Sequence, residues 1–574
     1  MTRYPALVAF LLLLPACSGR PATVEPATTQ PGGIVAADHA LASQAGAAML
    51  ELGGNAVDAI VAATLAAGVV QPAGSGLGGG GFALLVPPEG DPIIVDFREV
   101  APGAAHPDMH DGVDGEIDKD LRRLGGLAVG VPGEPIGLWH LLEKYGRLEA
   151  EQVAAPAIAL ARDGFPLGAH LQKMTQKVVE RGHSELVGKV FDGESSLPEA
   201  GHVVRRARLA DTLEAWAHTD GRALHEGPLA EDLVAAVQGA GGILTLEDLA
   251  NYRPVEKEPI RVPWGDRTVL TMTAPGGGAV VGQVLSVLQD ELREGCDRPC
   301  AFDVTRAHRF LEAQKHAYAD RGRHMADPDF EEVALDVMLS GERIAEIREA
   351  FDPSKVLDRS AYAVPAHQPQ DAGTHHISVI DADGYAVALT TTINTGFGSM
   401  VVAEKSGVIL NNEMDDFAPF PSSPILEGVQ GSALNHIEPG KRPVSSMSPT
   451  VVLDEDGAPI LAAGASGGPL IISSTLQVVL GVLELGQSPE AAVSARRFHH
   501  RWAKEGEGLF LDTRGAPGGD TPDALSTGLS GLGHEVIPFD FFSSVQIAAR
   551  DGDAFDGASD PRKGGAPARP GSEE

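Results

Sequence analysis

Basic residues are scarce relative to acidic ones in this 574-residue chain, 44 Lys and Arg against 79 Asp and Glu, for a formal net charge of −35. Without a dominant basic surface the counterion-release term that drives nucleic-acid binding is missing, so nucleic acid is not an expected partner. Aromatic residues make up only 5% and no 20- to 50-residue period is visible, so neither a repeat array nor a fibre is expected. Cysteines number three, too few for a disulfide-built scaffold, and no cluster of ligands accompanies them to make a zinc site. The apolar run Ala6 to Leu14 is too short to span a bilayer. Abundant instead are Gly, 69 residues, and Pro, 41, the composition of a large globular protein with many tight turns and close backbone approaches.

Arg3 followed by that apolar run has the form of a secretory signal. Leu14-Pro15-Ala16-Cys17 resembles the lipobox of bacterial lipoproteins, which implies cleavage at residue 17 and acylation of Cys17. With Ser18 next, the resemblance implies an outer-membrane anchor, facing the periplasm or the cell surface. Residues 18–33, rich in Pro and Thr, read as a flexible tether, so the fold is expected to begin near Ile34. In the oxidising compartment this implies, Cys296 and Cys300 form an even pair for a local disulfide, with two free thiols as the alternative.

Helical patterning covers Ala40 to Leu52, stopped by Gly53-Gly54, and Asn55 with Asp58 forms a cap for a buried helix over Ala56 to Val70. The run Gly74 to Gly81 matches G-x-G-x-x-G, yet it follows a helix and Pro72 rather than a strand, which points to close backbone approach and away from a dinucleotide. Amphipathic helices alternate with loops over Ile136 to Ala350, one of them containing Ala307 to Arg323, and the polar stretch Ser354 to Gly373 reads as a linker.

A β-hairpin follows, with Thr374 to Ile380 and Tyr385 to Asn394 flanking Asp381-Ala382-Asp383-Gly384. Alternation puts Thr390, Thr392 and Asn394 on one face, and the hairpin folds Thr392 and Asn394 back toward Thr374. A threonine that heads a strand after a cleavable linker can become a chain-terminal nucleophile whose own α-amine is its base; ordinary sheet composition is the competing reading. Farther on, the polar runs Asn411 to Asp416 and Lys441 to Pro449 could hold an amino-acid-like group or be solvated loops. Ile460 to Pro469 reads as strand and glycine turn before a helix from Leu470, placing the amides of Gly467 and Gly468 where they could stabilise an oxyanion. The same segment matches G-x-S-x-G, so Ser466 is a rival nucleophile, with His499, His500 and His534 as available bases.

Together with Gly53 to Ala59, Gly78 to Phe82, Asp96-Phe97-Arg98-Glu99, Ala317 to Arg321, Arg497 to His500 and Gly557 to Arg562, these motifs resemble the γ-glutamyltranspeptidase family, in family order over roughly Gly33 to Arg562. The resemblance implies an α/β fold, the four-layer αββα sandwich of N-terminal-nucleophile hydrolases. It implies self-cleavage between Gly373 and Thr374 into a large chain (residues 34–373 beyond the tether) and a small catalytic chain (374–560) that remain together as a heterodimer, followed by a disordered tail at 561–574. Thr374 would then take a γ-glutamyl group from an amide such as glutathione as an ester and pass it to water or to an amino acid or peptide. Thr392 would assist; Gly467 and Gly468 would supply oxyanion amides. Arg98, Ser445 and Ser446 would hold the substrate α-carboxylate, and Asn394, Glu413 and Asp416 its α-amino group. No metal or cofactor is implied. Pro469 and Glu427 depart from the family's usual Ser and lid-loop aromatic, which bears on acceptor preference and substrate size. The alternatives are an amide acylase of other acyl specificity, a serine hydrolase using Ser466, and a binding lipoprotein without turnover.

Overall fold

The computed structural model describes residue 1 and residues 32–112, 117–289, 291–293, 295–362, 373–418, 433–501, 508–514, 523–541 and 543–571. Residues 2–31, on which Cys17, the expected signal and most of the expected tether fall, and Glu427 lie outside the described residues.

Two six-stranded sheets carry the fold. The first runs in the order Gly33–Ala37, Gly373–Asp381, Ala386–Asn394, Gly80–Val86, Ile93–Asp96, Val255–Lys257, and every neighbouring pair is antiparallel. The second runs Ala554–Ser559, Ser544–Asp551, Pro459–Ser466, Thr450–Leu453, Arg267–Thr271, Ile260–Trp264, again antiparallel throughout. Strand alternation sorts side chains into two cores. Val379, Val387 and Leu389 pack with the helix Ala56–Val70, while Ile380, Ala386 and Ala388 pack with Val451, Ala462 and Ile547 of the second sheet. Helices cover both outer faces, so the layers are helix, sheet, sheet, helix, as expected for the αββα sandwich.

The helix Ala56–Val70 is buried at all of its residues, and Asn55 and Asp58 cap it reciprocally. Its N-terminus also receives Asp381, whose carboxylate accepts from the Ala56 amide at 2.9 Å and so ties the hairpin turn to the helix. The glycine run is explained by proximity. A Cβ on Gly78 or Gly79 would strike the carbonyl oxygens of Ile409 and Thr392, because this backbone threads directly beneath the hairpin before entering Gly80–Val86.

The alternating-helix expectation for Ile136 to Ala350 misses five strands: the short pair Phe165–Pro166 and Val203–Val204, and Val255–Lys257, Ile260–Trp264 and Arg267–Thr271, which extend the edges of the two large sheets. The linker expected from Ser354 packs in part: Tyr362 is buried, its hydroxyl between Glu312 and Lys315. The tail expected to be disordered from residue 561 is placed on the body up to residue 571, with Ala568 pairing with Val35 and Lys563 buried. Cys296 and Cys300 are joined in a disulfide. Among the described residues no helix is long and apolar enough to cross a membrane.

Candidate active site

Thr374 and Thr392 face each other across the hairpin, their hydroxyl oxygens 3.2 Å apart. The Thr392 hydroxyl donates to the carbonyl oxygen of Gly373 at 2.6 Å and accepts from the Asn394 amide at 2.8 Å. The register slips between Thr392 and Asn394, so the second strand bulges where it meets the start of the first. Asn394 sits at φ 69, a left-handed conformation that asparagine tolerates, and Phe397 (φ 63) and Met400 (φ 62) adopt the same region, which costs more for such side chains. Gly373 has no room for a side chain, because a Cβ would meet the Thr395 carbonyl. Close packing thus surrounds Gly373, and the strained residues lie opposite it at Asn394 and in the loop that follows.

Behind the threonine lies a buried polar network absent from the sequence-based expectation. Lys563 donates to the Thr374 carbonyl at 2.8 Å and to the Ser466 hydroxyl at 2.6 Å, and its ammonium stands 3.5 Å from Asp38. Asp38 also accepts from the Ser544 hydroxyl at 2.8 Å and from Gln546, and lies 3.1 Å from His375 Nδ1. Burial works to raise the Asp38 carboxyl, but Lys563 and the His375 hydrogen bond outweigh it and hold the group well below the usual carboxylate range. Burial also lowers the Lys563 ammonium, with Asp38 opposing.

A second cluster is built on Arg98, which is 1% exposed. Its guanidinium forks onto Glu413 and Asp416, the latter at 2.6 Å, and Nε donates to the Pro443 carbonyl at 3.3 Å. Nη2 reaches the Val444 carbonyl at 3.5 Å, next to Ser445, whose hydroxyl accepts from the Met447 amide. Ser446 accepts from Arg321 at 3.4 Å. Glu99 lies 3.9 Å from Arg98, and both its carboxyl oxygens are buried with no hydrogen-bond partner. Burial pushes Glu99 up to about 7 and Glu413 well above the ordinary range, despite the attraction of Arg98. Glu134, which accepts from the Thr391 hydroxyl, is pushed by burial up to about 8, with the nearby Glu99 adding to the shift. One fixed cation among several carboxyl groups matches the head of an α-amino acid, whose carboxylate suits the guanidinium fork and whose ammonium suits the acids.

Gly467 (φ +125) and Gly468 (φ +57) form the turn from Pro459–Ser466 into the helix Leu470–Leu483, with Pro469 just ahead of it. The elbow reading of Ser466 does not survive. Its strand is antiparallel to both neighbours, its hydroxyl is fully buried on Lys563, and two of the candidate bases are engaged elsewhere: His499 with Ser473 and Gln314, His534 with His308.

The structure therefore groups Thr374, Thr392, Gly373 and Asn394 at one focus, and Arg98, Glu413 and Asp416 at another with Ser445 on the adjoining loop. Asp38, Lys563, Glu99 and Glu134 enter as participants that no spacing rule singled out. Glu99 directly follows Arg98, and Lys563 follows the Asp560-Pro561-Arg562 motif; those adjacencies were the available signal.

Residues 42–569 match the family model described as gamma-glutamyltranspeptidase. The chain belongs to the γ-glutamyltranspeptidase family. It is similar to a glutathione hydrolase of Aspergillus flavus, 37% identical over 92% of this chain and 88% of the relative, and to the glutathione hydrolase proenzyme of Escherichia coli K12, 36% identical over 92% and 90%. Among solved structures it resembles cephalosporin acylase from Bacillus halodurans (TM-score 0.80, 26% identity, 96% of this chain and 99% of that one). It also resembles the Helicobacter pylori γ-glutamyltranspeptidase (TM-score 0.53, 31% identity, 57% and 93%). As a γ-glutamyltranspeptidase family member the chain is an enzyme that hydrolyses or transfers γ-glutamyl groups, on an N-terminal-nucleophile hydrolase fold.

Proposed function

We propose that the chain cuts itself before Thr374 and that the freed threonine then cleaves γ-glutamyl amides, glutathione among them. The observation that carries this reading is the Thr392 hydroxyl donated at 2.6 Å to the Gly373 carbonyl, with the Thr374 hydroxyl 3.2 Å away. The bonded carbonyl is the one that self-cleavage must attack. Thr374 Oγ adds to the Gly373 carbonyl carbon while Thr392 steadies the oxygen, and the C–N bond breaks to leave an ester on Oγ. Water hydrolyses the ester, releasing the Gly373 carboxylate and a free α-amine on Thr374. The word proenzyme in the name of the E. coli relative supports such processing, and the two chains remain one folded body.

In turnover the Thr374 α-amine takes the hydroxyl proton as Oγ attacks the γ-carbonyl, and the proton passes to the departing amine. Arg98 with Ser445 and Ser446 orients the α-carboxylate, Asn394, Glu413 and Asp416 the α-ammonium, and the amides of Gly467 and Gly468 the oxyanion. Water or an amine acceptor then takes the γ-glutamyl group from the ester. Export and acylation at Cys17, probed by mass spectrometry of the mature N-terminus, complete the proposal. The test is Thr374→Ala: it should run as one uncut chain with no γ-glutamyl anilide cleavage. Two chains from that variant would overturn the mechanism.

A further inference from the structure

Arg98 is fixed by its backbone as well as by the groups its guanidinium touches. Asp96, fully buried at the end of its strand, accepts from the Arg98 amide at 3.0 Å through Oδ1, a local turn that sets the direction in which the arginine leaves the sheet. Asp96 is held in turn by a lysine of the neighbouring edge strand. Lys257 pairs with Ile94, so it shares a face with Ile94 and Asp96, and its ammonium reaches along the diagonal to Asp96 Oδ2 at 2.6 Å. The same ammonium donates to the Ala274 carbonyl at 3.1 Å. The next carbonyl, that of Pro275, accepts from the Ser445 amide at 2.9 Å. Arg442 brings a second cation to 3.4 Å from Asp96 Oδ1, and the Pro443 carbonyl that follows it accepts from Arg98 Nε. One ammonium thus ties together the segments that carry Arg98 and Ser445.

Resting on the γ-glutamyl reading above, we infer that Lys257 is a positioning residue for the substrate α-carboxylate: it sets the separation of the Arg98 fork from the Ser445 hydroxyl, the groups that would share that carboxylate, and so makes the enzyme selective for acyl donors that carry one. A fork of donors tolerates little displacement, since a misplacement of about 1 Å caused far from the chemistry can cost on the order of 100-fold. Lys257 acts through Arg98 and Ser445 and not on the reacting carbonyl. Its loss should therefore weaken the binding of carboxylate-bearing donors and leave the chemistry on a bound donor nearly as fast.

The processed enzyme should be assayed on the p-nitroanilides of γ-glutamate, of glutarate, which lacks the α-ammonium, and of 4-aminobutyrate, which lacks the α-carboxylate. The proteins are wild type, K257M, K257R and D96N/K257M. In K257M, KM for the γ-glutamyl and glutaryl donors should rise about tenfold, with kcat held within about twofold, and the 4-aminobutyryl donor should be unaffected. K257R keeps a cation able to reach Asp96 and should recover part of the loss. K257M also strips the buried Asp96 of its closest cation and should lower Tm; D96N/K257M removes that charge, so Tm should recover while the KM defect persists. An equal loss on all three donors, or a KM defect that disappears together with the Tm loss in D96N/K257M, would overturn the inference and leave the γ-glutamyl reading intact. A processed wild type that does not cleave the γ-glutamyl anilide would overturn the γ-glutamyl reading itself.

Discussion

Replacing Arg98 by lysine keeps the charge and removes the geometry. The arginine, itself buried, reaches Glu413 and the partly exposed Asp416 through separate nitrogens and holds the Pro443 and Val444 carbonyls with its remaining N–H groups. A lysine ammonium is a single point with a shorter reach, so it can serve one carboxylate or the carbonyls, not the fork. A charge-assisted hydrogen bond contributes about 1.5–3 kcal/mol. Losing one such contact to the substrate α-carboxylate should lower kcat/KM for γ-glutamyl anilides by roughly 10- to 150-fold. The assay compares that donor with an analogue lacking the α-carboxylate, which should be poor for wild type and nearly indifferent to Arg98→Lys. Arg98→Met should be worse than lysine in stability too, because burying Glu99, Glu413 and Asp416 without their cation costs several kcal/mol. Equal losses for both donors in the lysine variant would show that Arg98 organises the fold rather than reading the carboxylate, and the argument would fail.

Ser466→Ala should cost about 1 kcal/mol of stability, the hydroxyl shared with Lys563 and Ser544, and leave substantial activity; covalent labelling of Ser466 by a serine-directed phosphonate would contradict this. Glu134 is raised from 4.5 to about 8, so the native state holds an extra proton between those values and stability falls as pH rises through that window. Glu134→Gln should therefore show a shallower fall in Tm from pH 5 to 8, and an unchanged slope would refute the shift. Lys563→Met should lower Tm, on the order of 3–5 kcal/mol of stability, and slow self-cleavage by releasing the Thr374 carbonyl. Adding Asp38→Asn should recover part of that loss, and strictly additive effects would show that the pair is not coupled.

Legibility followed the range of the interaction. The helix cap at Asn55, the hairpin over Thr374 to Asn394 and the glycine turn after Ser466 are local, and each could be read from neighbouring residues. The strands Val255–Lys257, Ile260–Trp264 and Arg267–Thr271 were missed because they are short and sit among helices; what makes them strands is the sheet edge they join. The orphaned carboxyl of Glu99 and the raised Glu134 depend on burial, which no spacing reports.

Lys563 shows the same limit most clearly. Composition made residues 561–574 a polar, Gly- and Pro-containing tail, and such a segment has no local reason to be ordered. What orders it is Asp38, 525 residues earlier, together with the Thr374 carbonyl and Ser466, a set of acceptors that exists only once both sheets are assembled. The two ends of the folded body therefore meet at the nucleophile. A chain truncated after Pro561 would lose the cation that neutralises Asp38 and anchors Thr374, so its self-cleavage should fail even though every residue of the Thr374, Thr392 and Arg98 clusters is present.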